Sequence, residues 1–177
     1  MNYKGKLLVA TPELTRDSTF RRSVVYIYEH NDDVVIGLCL NKPTDYKINE
    51  VVRIQGHMFE QGNEKLYKGG PISPQSVILL HTDEWYSSNT MQIGNGLAIS
   101  SDELMFEKIS MGNEPENHRL MAGVSSWHPR QLEQEIHKWK AWLVADADPE
   151  LFFFKDGDEQ WNKAIMISSQ QMFDQYF

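Results

Sequence analysis

Gly123-Val124-Ser125-Ser126-Trp127 comes within one residue of G-x-S-x-G, the turn that lifts a nucleophilic serine above a sheet, and His128 follows directly. The closing glycine is replaced by tryptophan, which would crowd so sharp a strand-to-helix corner. A nucleophile also needs a base in reach and a third group to orient that base. His30 and His81 each follow an apolar run and have acids beside them, Glu29 for one and Asp83 and Glu84 for the other. There is no H-x-x-x-H, H-E-x-x-H or cysteine pair, so metal-ligand spacing is absent. The plainer expectation is a corner in which Ser125 or Ser126 caps a helix opened by Pro129, with His30, His81 and His128 as hydrogen-bonded structural residues. The sequence names no catalytic residue, no metal and no cofactor.

Two proline-ended turns offer a different chemistry. Gly69-Gly70-Pro71 matches neither G-x-G-x-x-G nor a P-loop, but a glycine pair can present backbone N–H groups to an anion. Asn41-Lys42-Pro43 ends a strand-like run in a similar way and adds a cation. If both turns meet at one rim, Lys42 and the Gly69 and Gly70 amides would form a small anion-tolerant cleft. The candidate ligand-binding residues are therefore Asn41, Lys42, Pro43, Gly69, Gly70, Pro71 and His81.

Composition narrows the partners. The chain has 177 residues, 41% hydrophobic and 24% charged, enough for a proper core and too apolar for global disorder. A net charge of -8 sets it against DNA, RNA and anionic lipid, which bind through released counterions. Arg16, Arg21 and Arg22, with Lys4 and Lys6 nearby, are the one basic cluster, and a solvated face is its ordinary fate. Trp85, Tyr86, Trp127, Trp139, Trp142 and Trp161 could stack bases, but only Lys138 and Lys140 interleave them, so packing is the stronger expectation. No basic recognition helix is visible: Arg130–Lys138 carries Glu133 and Glu135. A protein or small-molecule partner fits better than nucleic acid. Cys39 has no disulfide partner and sits in an apolar run. The first residues hold too short an apolar run for a secretion signal, and no segment is long enough for a membrane helix. A cytoplasmic location is expected.

The elements that must position these residues are legible as patterns. Residues 6–10 read as a strand stopped by Pro12. Ser23–His30 and Val34–Asn41 form an expected hairpin around Asn31-Asp32-Asp33. A two-residue loop would place Ile27 opposite Leu38, Val25 opposite Leu40, and Tyr28 over Gly37; a longer loop would change the register. Both faces are apolar, so the hairpin belongs in a sheet covered on both sides. Further strands are expected at 66–70, 77–82, 91–93, 97–100, 118–124 and 142–145. Helices are expected at 48–54, at 102–111 capped by Ser101, at 129–139 with Leu132, Ile136 and Trp139 inward, and at 159–167 with Trp161, Ile165 and Met166 inward, followed by a tail that frays from 168. Residues 57–65 read as a loop. The order lacks a β-α-β rhythm. The fold class is α+β in one domain over residues 1–177, with a mainly antiparallel sheet.

Taken in order, several segments resemble the YqgE/AlgH family: residues 5–12, Phe20 with Ser23-Val24, Glu29-His30, Gly37 with Asn41-Lys42-Pro43, Gly69-Gly70-Pro71, His81, Ser101-Asp102, Gly123 with Trp127, residues 131–135, Trp142-Leu143 and Trp161. Each motif is weak alone; the ordered set is specific. The resemblance implies a compact α+β domain with a curved, barrel-like sheet flanked by helices. Some members carry the label of transcriptional regulator, but the family brings no established reaction, cofactor or catalytic set. The chain departs from the usual pattern at Tyr28, Val34-Val35, Ser125-Ser126 and Arg130, which marks a divergent member.

Overall fold

The computed structural model describes residues 1–47 and 65–177. The helix expected at 48–54, and all but the last residue of the loop expected at 57–65, lie outside these. The described chain forms one ten-stranded sheet: β1 (Lys6–Ala10), β2 (Val24–His30), β3 (Val35–Cys39), β4 (Pro43–Lys47), β5 (Lys65–Lys68), β6 (Ile72–Thr82), β7 (Met91–Gly94), β8 (Leu97–Ser100), β9 (His118–Trp127) and β10 (Trp142–Asp146). Helices α1 (Glu103–Ser110), α2 (Pro129–His137), α3 (Pro149–Phe152) and α4 (Gly157–Tyr176) flank it. The main path runs β10-β1-β2-β3-β9-β6-β8-β7, and β4 pairs with β5 off it. Every pairing is antiparallel except β5 with β9. The sheet curls into a half-barrel, the α+β architecture read from the sequence.

Three apolar clusters hold the helices against the sheet. Leu7, Val24, Tyr26, Leu38, Leu80 and Met121 pack with Leu151, Phe152 and Ala164 of α3 and α4. On the other face, Leu8, Val25, Ile27 and Trp142 pack with Leu132 and Ile136 of α2. Leu66, Leu79 and Leu120 receive Met105, Phe106 and Ile109 of α1. The β2–β3 hairpin is therefore covered on both faces, as its doubly apolar pattern requires.

Its register corrects the two-residue-loop expectation. Near the turn, Glu29 faces Ile36 and His30 faces Val35, as that loop predicts, but a bulge between Ile27 and Glu29 shifts the rest by one. Ile27 then faces Gly37, Val25 faces Cys39, and Leu38 joins Val24 and Tyr26 on one face. Gly37 makes room for Val25 and Ile27 rather than for Tyr28: a β-carbon there would lie 2.6 Å from Val25 Cγ1 and 2.9 Å from Ile27 Cδ1.

Other boundaries moved for local reasons. Asp102, not Ser101, caps α1, because its carboxylate accepts from the Met105 N–H at 2.9 Å. His128, not a serine, caps α2, its Nδ1 accepting from the Arg130 N–H at 3.2 Å. Trp139 lies beyond the end of α2 and is 51% exposed, and Met166 is 69% exposed while Ala164 and Ser168 take the inner face of α4. Helix α4 continues through the expected fraying tail to Tyr176; Gln171 ties it to Asp146 by accepting from the Asp146 N–H at 2.8 Å and donating to its carbonyl at 3.2 Å. Trp127 and Trp142 are core residues, and both indole N–H groups donate to Glu135 Oε2, at 3.1 and 2.8 Å.

Candidate functional site

Asn41-Lys42-Pro43 links β3 to β4, and Gly69-Gly70-Pro71 links β5 to β6. Both turns lie where β3 and β5 meet the same edge of β9. Their backbones are bonded at two points: the Cys39 N–H donates to the Gly69 carbonyl at 2.9 Å, and the Lys68 N–H donates to the Lys42 carbonyl at 2.8 Å. The chain thus brings the two motifs side by side.

The glycine pair serves a backbone crossing at this point. The Gly69 N–H donates to the Ala122 carbonyl at 2.8 Å, and the Ser125 hydroxyl donates to the Gly69 carbonyl at 3.0 Å. A β-carbon on Gly69 would meet the Gly123 carbonyl oxygen at 2.3 Å, and one on Gly70 the Val124 carbonyl carbon at 2.1 Å. Two chains cross here at a separation only glycine permits. The serine of the half-matched nucleophile elbow therefore anchors that crossing and, among the described residues, is not bonded to a histidine.

Asn41 is fully buried and clamps three segments. Its Oδ1 accepts from the Val24 N–H at 3.0 Å, and its Nδ2 donates to the carbonyls of Arg22, at 2.8 Å, and Gly157, at 3.0 Å. The Gly157 N–H returns a bond to the Asn41 carbonyl at 2.9 Å. This clamp places the start of α4, with Asp158, beside Lys42 and the loop before β2.

A polar cleft of about 360 Å³ results, lined by Thr15, Arg21, Arg22, Lys42 and Asp158. The Lys42 amine donates to the Arg21 carbonyl. Arg22 Nη1 pairs with Asp158 Oδ2 at 2.7 Å, and its guanidinium lies 5.7 Å from the centre of the Trp161 ring. Burial holds the Lys42 amine below its usual pKa; Asp158 opposes that shift, while Arg21 and Arg22 reinforce it. Three cations and one carboxylate make the cleft cationic in an acidic chain. The sequence pattern had set Arg21 and Arg22 apart as a solvated cluster. Their approach to Lys42 depends on the Asn41 clamp, which spacing does not reveal.

His81 lies elsewhere. It pairs with His118 at the start of β9, away from the Gly123 crossing. Its Nδ1 is 2.8 Å from the Thr82 carbonyl, which can only accept, so Nδ1 carries the proton and Nε2 accepts from the Ser100 hydroxyl at 2.8 Å. The relay continues to Thr90 Oγ1 at 2.7 Å and the Ser87 N–H at 2.6 Å. The Trp85 ring packs edge-on, 5.1 Å from the imidazole centre, and burial pushes the His81 pKa down. His30 and His128 border another cavity, of about 620 Å³, with Arg130 and Glu133. The His30 ring accepts from the Tyr3 N–H at 2.9 Å. Among the described residues, no three His, Cys, Asp or Glu side chains are grouped to hold a metal ion. None of the helices described is long and apolar enough to cross a membrane.

With curled sheet and cationic corner defined, the comparisons with known proteins agree on the class. The AlgH-like family model (DUF179) matches residues 7–172, and the chain belongs to that family. It is 33% identical over 165 residues to a UPF0301 protein of Shewanella loihica, covering 91% of this chain and 88% of that one. A UPF0301 protein of Vibrio cholerae is 32% identical over 173 residues, covering 93% and 91%. Among solved structures, the AlgH protein of Pseudomonas aeruginosa superposes with a TM-score of 0.80 at 27% identity, covering 94% of this chain and 89% of that one. The DIP2367 protein of Corynebacterium diphtheriae gives 0.72 at 27% identity, covering 93% and 86%. The family carries no characterised function.

Proposed function

We propose that this chain is a non-enzymatic binding protein, with a regulatory use, whose working site is the Lys42 cleft and whose ligand presents an anionic group there. The observation that carries this reading is the convergence of Lys42, Arg21 and Arg22 on one cleft, with Asp158 the one carboxylate to offset them among the described residues, in a chain of net charge -8. A guanidinium and a half-buried amine favour a carboxylate or phosphate group, on a small molecule or on a protein partner. Amide chemical shifts recorded during titration with inorganic phosphate test the reading. Shifts should centre on Thr15, Arg21, Arg22 and Lys42, and Lys42→Ala should weaken them about tenfold, the value of one charge-assisted hydrogen bond. Shifts spread over the whole surface, or unchanged in Lys42→Ala, would refute it.

The enzyme alternative at this rim is favoured by its geometry: the Lys42 amine is half-buried beside Arg21 and Arg22, surroundings that favour the neutral, nucleophilic amine. A turnover that Lys42→Arg abolishes while phosphate binding persists would establish that reading.

A further inference from the structure

A third cavity, of about 410 Å³, opens between β5, β9 and the segment after α3, lined by Lys65, Tyr67, Glu116, Arg119, Leu120 and Phe153 among others. Its floor carries a cation that no carboxylate touches among the described residues. Arg119 is only 7% exposed, and its guanidinium bonds go to neutral oxygens: Nη1 to the Leu40 carbonyl and Gln160 Oε1, both at 2.7 Å, and Nη2 to the Lys155 carbonyl. The Tyr67 ring covers it at 4.6 Å. Asp156 is the nearby carboxylate, but its Oδ2 is engaged by the Tyr67 hydroxyl at 2.9 Å and the Lys65 amine at 3.2 Å. A buried guanidinium without a direct counter-ion is costly, and an anion arriving in the adjoining cavity would offset that cost.

The rest of the lining is graded. Lys65 adds a positive charge, Tyr67 and Phe153 supply apolar surface, and Glu116 supplies a negative charge. His118 and Asn117 complete the wall, and His118 Nε2 lies 3.9 Å from Glu114. A simple dianion would be repelled by Glu116, and an apolar molecule would strand both charges. We infer that this cavity binds a small zwitterion of the amino-acid class with an apolar side chain. Its carboxylate lies toward Arg119 and Lys65, its ammonium toward Glu116, and its side chain against Tyr67 and Phe153.

Phenylalanine is a suitable probe, with benzoate and phenethylamine each lacking one charge. Titrated into the full chain at up to about 10 mM, the upper range of a weak single-site ligand, phenylalanine should shift the Tyr67, Arg119 and Phe153 resonances. Each truncated probe should bind at least about fivefold more weakly, the worth of one partly exposed charge contact. Lys65→Met and Glu116→Gln change exposed side chains, so the fold should persist, and each should weaken phenylalanine by a similar factor. Lys42→Met should leave phenylalanine binding unchanged, which separates this cavity from the Lys42 cleft. Benzoate or phenethylamine binding as well as phenylalanine would overturn the zwitterion assignment. No localised shift, or shifts indifferent to both Lys65→Met and Glu116→Gln, would overturn the site.

Discussion

Lys42 and Arg119 line neighbouring clefts anchored on the same two strips of chain, residues 40–42 and 155–158, yet their charges are held differently. Arg119 ties structure together through neutral oxygens: it spans the Leu40 and Lys155 carbonyls and Gln160, and Gln160 in turn donates to the Leu151 and Phe152 carbonyls at 2.9 and 3.1 Å. Among the described residues, Lys42 has one hydrogen-bond partner, the Arg21 carbonyl, and otherwise faces a cleft. Between them, Asn41 and Gly157 exchange two hydrogen bonds. A buried cation that organises carbonyls carries fold stability, whatever charge it also lends to the cavity beside it. A half-buried cation beside two others is, on the proposed reading, the one an anionic ligand meets. Stability and binding should therefore separate along this strip.

The strongest way to break the comparison is Arg119→Met. It removes the cation and leaves two carbonyls and Gln160 Oε1 without their donor, so a loss of about 3–5 kcal/mol is expected in urea unfolding, as for one partner removed from a buried polar network. A loss below about 1 kcal/mol, the range of surface substitutions, would mean that Arg119 is no more structural than Lys42. Asn41→Ala comes next. Asn41 serves both clefts, and removing its side chain frees the Val24 N–H and two carbonyls. A destabilisation of about 2–4 kcal/mol is expected, together with weaker phosphate binding at Lys42, because Asp158 and Arg22 lose their common anchor.

His81 offers a third contrast, a titratable group with structure on both ring nitrogens. Burial lowers its folded pKa below the unfolded value near 6.5. The unfolded chain then binds the extra proton first. The His81 contribution is complete above about pH 6.5 and is lost as pH falls from there through the lowered folded value, with a slope of at most about 1.4 kcal/mol per pH unit. His81→Asn should remove that slope from the pH dependence of urea unfolding. An unchanged slope would assign it to other groups.

How far the sequence revealed this follows from which interactions are local. The β2–β3 hairpin was legible because alternation on both faces depends only on neighbouring residues. Its bulge at Tyr28 was not, because it is set by Gly37 packing under Val25 and Ile27 across the strand. The cap at Asp102 was missed by one position because Ser101 is an equally good capping type; Ser87 and Asn89, which fix the Asp102 carboxylate, come from another loop. At the site, the two turns were legible as punctuation, and Lys42 as their cation. Arg21 and Arg22 joined it only through a side-chain clamp from Asn41, and Arg119 became a cavity floor only because β9 passes beneath Leu40 and Lys155. Such contacts between distant segments leave no periodic trace in a single sequence.

The smallest expected effect sharpens the comparison most. Lys42→Met keeps the aliphatic stem that lies along the cleft wall and removes the amine. Among the described residues the only bond lost is to the Arg21 carbonyl, and removing the charge gives up attraction to Asp158 while relieving repulsion from Arg21 and Arg22. Those effects oppose each other, so stability should change by no more than about 0.5 kcal/mol, within the range of ordinary surface substitutions. Phosphate binding should nevertheless fall about tenfold. If Lys42→Met instead destabilised the fold as strongly as Asn41→Ala, Lys42 would be a structural cation like Arg119, and the cleft would lose its claim to be the working site.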